Sequence, residues 1–272
     1  MIQFERAAFI SAVFSMALLV GCQGSNADIP TGIDTEQTVP DEGQIMERAD
    51  ARTRAKAHVD LAAAYYEAGR LAVALDEARI AMTADPTYPQ AYNIQGLVNF
   101  DMRDNLAAEQ SFKRGLQLSP QDPDLNHNYG WFLCRTGRES EATQWFMTAI
   151  KNPLYTTPAR SYAAAASCLQ TKNPAEAGDL YERALRLDPA NPNTLQSYAN
   201  FLFQQNRIPE ARALLERYTV LVPEPNAEAL WLLLRVARKQ GDRNAEASYG
   251  AQLRRRFPKS PQAAALLRGA YE

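Results

Sequence analysis

Small and bulky residues recur along this chain at an interval of 34 residues, and this period constrains the fold more than any other feature. Gly96 and Gly130 lie one interval apart. Alanines hold a second recurring position, at Ala74, Ala108, Ala142, Ala177, Ala211 and Ala245. Bulky residues follow four places later, at Phe112, Phe146, Tyr181, Leu215 and Tyr249. A period of this length predicts a stack of repeated units, each burying its apolar side against the next.

The order of small, bulky and proline residues resembles the tetratricopeptide repeat, in which each unit is a pair of antiparallel helices. The resemblance implies an all-α fold: a right-handed superhelical solenoid of six tetratricopeptide-type helix pairs with a C-terminal capping helix. We place the units at residues 55–88, 89–122, 123–156, 158–191, 192–225 and 226–259. Thr157 is an extra residue between the third and fourth units. The folded array is expected to span residues 51–272, with residues 260–272 as the cap.

The N-terminus has the features of an export signal. Arg6 precedes an apolar run over residues 7–20, which is shorter than the ~20 residues of a membrane-spanning helix. The Leu-Val-Gly-Cys sequence ending at Cys22 resembles the lipobox of bacterial lipoproteins. It implies that residues 1–21 are a signal peptide and that Cys22 carries covalent lipid; the alternative is an ordinary secretory signal that ends near a cysteine. Gln23 follows, and not the aspartate that favours the inner membrane, so the periplasmic face of the outer membrane is the expected location.

The segment after Cys22 is polar and acidic. Residues 23–50 contain seven acidic residues and one basic residue, with few bulky apolar side chains. Such a composition does not bury enough surface to fold, so residues 22–50 are predicted to be a lipidated, flexible tether. A random coil of this length reaches roughly 30 Å. The remaining array is only mildly basic, which does not favour a nucleic-acid partner.

Two cysteines remain once Cys22 is assigned to the lipid. Cys134 and Cys168 lie on the first helices of adjacent predicted units. A disulfide needs Cα atoms within ~7 Å, whereas stacked helices lie ~8–10 Å apart, so a bridge requires both side chains to point into the gap. The oxidising periplasm favours a disulfide over two buried thiols. The two histidines are two units apart and no Cys-x-x-Cys spacing occurs, so no metal site is predicted.

Two local sequences narrow the resemblance. The stretch Asn-Tyr-Gly-Trp-Phe-Leu-Cys ends at Cys134, and Asn-Pro-Leu-Tyr ends at Tyr155. With the lipobox, the tether, six repeats and two cysteines one repeat apart, the chain resembles the PilF/PilW family of type IV pilus biogenesis and stability lipoproteins. The alanine-rich run at residues 163–167 departs from the family, which more often has Asn and Gly before the cysteine. The resemblance implies a pilotin that binds secretin subunits and promotes their localisation to the outer membrane or their assembly into a ring.

The first helix of each tetratricopeptide pair lines the concave face of the solenoid. This rule predicts a partner-binding groove formed by Val59, Ala63, Tyr66, Asn93, Leu97, Phe100, Trp131 and Tyr162. Exposed aromatic residues mark interaction surfaces, although core packing between helices is the alternative for Phe100 and Trp131. Asn93 could bond the main chain of a peptide or serve a surface role. The corresponding residues of the fifth unit are polar, which favours the N-terminal half.

An enzyme is not expected, because the sequence has no phosphate-binding glycine loop and no recognisable nucleophile and base. No cofactor is expected beyond the lipid on Cys22. The expected partners are a pilus secretin and, through the acyl anchor, outer-membrane lipid, and the free protein is expected to be monomeric. The alternative function is a lipoprotein scaffold for another outer-membrane assembly or cell-wall machinery.

Overall fold

The structure, a computed structural model, describes residues 42–271, with side chains from residue 46 onward. The predicted signal peptide, Cys22 and most of the predicted tether lie outside these residues. The described part contains thirteen α-helices and no β-strand. The helices are α1 Glu42–Glu67, α2 Leu71–Ala84, α3 Pro89–Asp101, α4 Asn105–Leu118, α5 Pro123–Arg135, α6 Glu139–Lys151, α7 Pro158–Leu169, α8 Pro174–Leu187, α9 Pro192–Gln204, α10 Ile208–Leu221, α11 Ala227–Gln240, α12 Arg243–Arg256 and α13 Pro261–Arg268.

The fold is the predicted all-α superhelical solenoid. Helices α1 to α12 form six pairs, the two helices of each pair pack along each other, and α13 packs on the last pair. The second to sixth pairs each lie within one of the predicted units, and the first pair begins before its unit. The 34-residue period therefore predicted the architecture correctly.

The first helix begins earlier than the sequence suggested. The tether was predicted to extend to residue 50, but α1 begins at Glu42. Residues 44–55 contain strong helix formers and neither glycine nor proline, so a helix that starts at the first repeat extends readily toward the N-terminus. Most of this added part is exposed, Met46 at 71 %.

Caps and turns set the helix boundaries. Seven residues that precede a helix accept a hydrogen bond from a main-chain N–H of its first turn: Asp104, Asp122, Asn173, Asn191, Asn226, Asp242 and Ser260. In the first and third pairs the turn between the helices contains Gly69 and Gly137, at φ +70° and +82°. These angles favour glycine because a Cβ atom is crowded there. Arg103 takes the same left-handed conformation in the second pair.

Small residues allow the two helices of a pair to approach closely. The recurring alanines Ala74, Ala108, Ala142, Ala177 and Ala211 are fully buried. A Cβ atom on Gly96 would lie 2.7 Å from the ring of Phe112, which is itself fully buried. Glycine at this position is thus required by contact with the bulky residue of its own pair.

Candidate functional site: a groove on the inner face

The inner face of the solenoid is formed by the first helix of each pair. Each of these helices contacts the first helix of the next pair, from α1 with α3 through to α11 with α13. Among the described helices, no second helix contacts the second helix of a neighbouring pair. The stack therefore curves with the first helices on its inner, concave side.

A groove of about 1250 Å³ lies over α7, between α5 and α9. We call it the central groove. It is also lined by the loops that precede α7 and α9, including the inserted Thr157. The extra residue thus contributes directly to the wall of this groove.

Small side chains on α7 create the space. Ala163, Ala164 and Ser167 line the central groove, whereas Trp131 on α5 forms one wall. The ring of Trp131 packs edge-on against Phe100, with ring centroids 4.9 Å apart. The small side chains of the run at residues 163–167 therefore leave this space open.

The polar atoms of the central groove carry balanced charge. Arg135 and Arg160 line it together with Glu139 and Asp188. Asn193 and Ser197 on α9 and Ser167 on α7 add uncharged hydrogen-bonding side chains, the Ser167 hydroxyl being also bonded to the Tyr181 hydroxyl at 2.8 Å. Asn191 and Thr194 line the groove as well but bond each other at the start of α9. This surface suits a polypeptide segment better than a highly charged ligand, because uncharged donors and acceptors match main-chain groups.

A disulfide joins α5, on one side of the groove, to α7 beneath it. Cys134 on α5 and Cys168 on α7 are bonded, with their Cα atoms 5.7 Å apart. Both residues line the central groove. The covalent link fixes the position of α5 relative to α7 at this height of the groove.

A buried polar cluster joins α5, α7 and the loop between α6 and α7. The Nδ1 atom of His127 lies 2.8 Å from the Oγ atom of Ser161, and the Tyr155 hydroxyl lies 2.9 Å from the same Oγ. Burial, and secondly the charge of Arg160, lowers the pKa of His127 to about 3. His127 is therefore neutral at physiological pH. The cluster also explains the Asn-Pro-Leu-Tyr sequence, since Tyr155 secures the end of that loop.

The edge of the inner face carries a short row of hydrogen bonds. Asn128 donates to the side-chain oxygen of Asn93 at 3.0 Å and accepts a bond from Arg160 at 3.2 Å. These bonds connect α3, α5 and α7. Asn93, predicted as a contact for a bound peptide, already has a partner within the protein.

The predicted N-terminal groove is only partly present. The structure corrects the prediction that Phe100 lines the groove. Phe100 is 8 % exposed and packs edge-on against Phe132 in the core. Its position on α3 turns it toward the core that the second and third pairs share. Of the eight predicted groove residues, only Trp131 lines the central groove.

The other apolar residues of that prediction are partly buried and pack against two core clusters. Val59, Ala63 and Tyr66 pack on the first cluster, Tyr162 on the second, and Leu97 on both. Burial, and secondly a hydrogen bond with Asp101, raises the pKa of Tyr66. These side chains therefore contact the core and keep part of their surface exposed to solvent.

The described residues contain neither a candidate membrane span nor a candidate metal centre. No helix between residues 42 and 271 has the length and apolar character of a membrane span. No three His, Cys, Asp or Glu side chains in that region lie close enough together to hold a metal ion.

Comparison with known proteins agrees with the fold. The tetratricopeptide-repeat family matches residues 59–123 and 169–235. Type IV pilus assembly protein PilF of Pseudomonas aeruginosa is 28 % identical over 205 residues, which cover 75 % of this chain and 81 % of PilF. The crystal structure of PilW, a widely conserved type IV pilus biogenesis factor, superposes with a TM-score of 0.72 at 26 % identity, covering 78 % of this chain and 98 % of PilW. The chain belongs to the tetratricopeptide-repeat proteins of the PilF/PilW type. The solved structure of P. aeruginosa PilF gives a TM-score of 0.69 at 27 % identity and covers 82 % and 99 % of the two chains.

In this PilF/PilW-type chain, sequence reasoning missed most of the central groove. Ser167, Asn193 and Ser197 were not predicted as site residues, and the polar fifth pair was set aside. One sequence feature indicates this groove: the inserted Thr157 lies close to the alanine-rich run at residues 163–167. An insertion beside small residues leaves space between neighbouring repeats.

Proposed function

We propose that this protein is a non-enzymatic binding scaffold of type IV pilus biogenesis that holds a segment of the pilus secretin. The likeness to PilF and PilW, which extends over nearly the whole of both solved structures, carries this proposal. Tetratricopeptide arrays act by presenting a shaped inner face to another polypeptide. The protein would escort secretin subunits to the outer membrane or promote their assembly into a ring.

The proposal includes a lipid anchor at Cys22. Each buried methylene contributes ~0.8 kcal/mol, and two acyl chains suffice for stable attachment, so a lipidated Cys22 would hold the protein on the periplasmic face of the outer membrane. Residues 23–41 would link the anchor to α1. Replacing Cys22 with alanine is then expected to release a folded array into the periplasm. Absence of radiolabelled palmitate from the wild-type protein would refute the anchor.

We place the secretin segment in the central groove. Trp131 offers an aromatic wall, and the alanines of α7 leave room for a bulky apolar side chain of the segment. Ser167, Asn193 and Ser197 offer donors and acceptors for its main chain. An extended, nearly neutral segment with one large apolar residue fits this surface.

A paired purification tests this proposal. Full-length protein is purified from detergent-solubilised membranes, and its partners are identified by mass spectrometry. Ala163→Leu fills the central groove, whereas Ala72→Leu adds the same volume at an exposed position of α2. We expect secretin with the wild type and with Ala72→Leu, and at least tenfold less with Ala163→Leu.

Other results would contradict the proposal in distinct ways. Equal recovery of secretin with both variants would remove the central groove as its site. Recovery of a different outer-membrane or cell-wall assembly in place of secretin would support the alternative scaffold function.

A further inference from the structure

The inner face of the sixth pair holds a second set of contacts, on the first helix that follows those lining the central groove. Trp231, Arg235 and Arg238 lie four and three residues apart on α11, which places them on one side of that helix. We call these three residues the C-terminal clamp. The side chain of Arg235 lies over the ring of Phe203 on α9, 4.3 Å from its centroid, so the clamp faces the neighbouring first helix.

The chain's own last described residue occupies the clamp. The rings of Trp231 and Tyr271 stack with centroids 5.8 Å apart and planes 14° apart. The guanidinium of Arg238 lies 3.9 Å from the centre of the Tyr271 ring. Arg235 donates a hydrogen bond from Nε to the main-chain oxygen of Tyr271 at 2.9 Å. One aromatic residue is thus contacted through both its ring and its main chain.

A sharp turn brings Tyr271 to this place. Helix α13 ends at Arg268 and is followed by Gly269, whose φ of +66° is a conformation that favours glycine. The turn directs residues 270 and 271 back onto α11. The segment therefore approaches the inner face from the end of the array, as a separate peptide would.

Covering the core does not require this contact. Ala263 of α13 forms a buried cluster with Leu230 and Leu253, and Leu266 packs against it. Tyr271 belongs to none of the core clusters and is partly exposed. Tyr271 lies outside the buried cluster of the cap and stacks on Trp231 at its edge, so its contacts have the character of ligand recognition.

Arg235 supports this interpretation. Its guanidinium is half-buried, yet no carboxylate of residues 46–271 forms an ion pair with it. A charge withdrawn from water without a partner lowers stability. A guanidinium has five N–H donors, and the bond to Tyr271 uses one. The free donors can bind further main-chain oxygens or a carboxylate of an incoming segment.

We propose that the C-terminal clamp is a second peptide-binding site, which takes an aromatic residue of a partner protein together with its main-chain carbonyl, and that residues 269–271 keep it closed in the free protein. Stacking, cation–π contact and the Arg235 bond define the ligand class, because Tyr271 displays all three. A tethered segment competes at an effective concentration in the millimolar range, so an external segment must displace it.

Fluorine NMR of the full chain labelled with 5-fluorotryptophan tests this proposal. The chain has three tryptophans, at residues 131, 145 and 231, so the signal from Trp231 reports on the clamp and the other two are internal controls. The probe is a synthetic peptide of residues 266–272, and the control is the same peptide with its tyrosine replaced by alanine. The proteins are the wild type and Tyr271→Ala.

In Tyr271→Ala we expect the tyrosine peptide to shift the Trp231 signal in a saturable manner and to leave the Trp131 and Trp145 signals in place. In the wild type the same peptide concentration should shift that signal at least about threefold less, because the tethered segment competes. The alanine peptide should shift neither protein. Arg235→Ala in the Tyr271→Ala background should abolish the shift.

Three results would overturn the proposal. An unmoved Trp231 signal in Tyr271→Ala at several millimolar peptide would show that the clamp binds no external segment. Equal shifts in both proteins would show that the tail does not close it. A Trp231 signal at the unfolded position in Tyr271→Ala would show that Tyr271 is a structural brace of the sixth pair. Each result leaves secretin binding at the central groove untouched, so the two proposals can fail separately.

Discussion

The Nδ1 atom of His127 lies 2.8 Å from the Oγ atom of Ser161, and this contact joins two adjacent repeats inside the protein. Both side chains are almost fully buried. The Tyr155 hydroxyl completes the cluster. A neutral imidazole is therefore part of the interface that shapes the central groove.

This cluster makes stability depend on pH. The pKa of His127 is about 3 in the folded protein and ~6.5 when the chain is unfolded, so below pH ~6.5 the unfolded chain binds the extra proton. The free energy of unfolding should fall as the pH drops, by up to ~1.4 kcal/mol per pH unit between pH 6 and 5. Urea unfolding at several pH values measures this slope.

The matched variant is His127→Gln, which should lose the slope between pH 6 and 5. Below pH 5 the protonation of carboxylates also lowers the free energy of unfolding. Hydrogen bonds from Arg138, and secondly from Lys113, lower the pKa of Glu109 to about 2, so its stabilising contribution is lost as the pH falls toward that value. An unchanged slope in His127→Gln would exclude His127 as its source.

The disulfide is tested with the Cys22→Ser chain, in which only Cys134 and Cys168 remain. Titration of its thiols after unfolding without reductant should detect no free thiol, and detection of two would contradict the bridge. The bridge closes a sequence separation of 34 residues, for which chain entropy suggests a stabilisation of roughly 3–4 kcal/mol as an upper value. Replacing both cysteines with serine should lower the melting temperature accordingly.

Alanine substitutions of Phe100 and Tyr66 distinguish a core side chain from a partly exposed one. Phe100→Ala should lower the free energy of unfolding by ~3–5 kcal/mol, because it removes a buried ring from the core. Tyr66→Ala should cost less, since Tyr66 is partly exposed. Melting curves of both variants, with Asn200→Ala in the polar fifth pair as a control, provide the measurement. Similar losses for Tyr66 and Phe100 would contradict this ranking.

Gly96 and Gly178 both lie within helices, and alanine substitutions at the two positions test whether close packing requires glycine. Gly96→Ala should destabilise the protein by ~1–3 kcal/mol, because the new methyl group would meet the Phe112 ring. Gly178→Ala meets only one ring atom, at 3.9 Å, and should be neutral or stabilising by up to ~1 kcal/mol owing to its higher helix propensity. Equal destabilisation by both substitutions would exclude the contact with Phe112 as the cause.

The repeat period was sufficient to predict the solenoid, because each unit is built from local signals. Gly96, Ala108 and Phe112 recur at spacings that a two-helix unit requires, and the array follows from stacking such units. The start of α1 was less predictable. An acidic composition indicated a tether, yet helix propensity at residues 44–55 extends the first helix into it.

The groove was harder to predict, since one residue along a helix rotates a side chain by about 100°. A shift of one residue in the predicted register is therefore enough to place Phe100 on the inner face, whereas its side chain is in the core. The central groove depends on missing volume at Ala163 and Ala164, and a sequence shows small residues without showing the space they leave. The contact between Trp231 and Tyr271 depends on how the chain folds back after Gly269.

The position of the disulfide in the middle of the array has a mechanical consequence. In a solenoid each repeat is supported only by its neighbours, so the end repeats open first. A force applied through the N-terminus would peel α1 to α4 away in sequence and then unwind α5 as far as Cys134. There the load would pass through the covalent link to Cys168. The residues between the two cysteines, which include the whole of α6, would then carry none of the load.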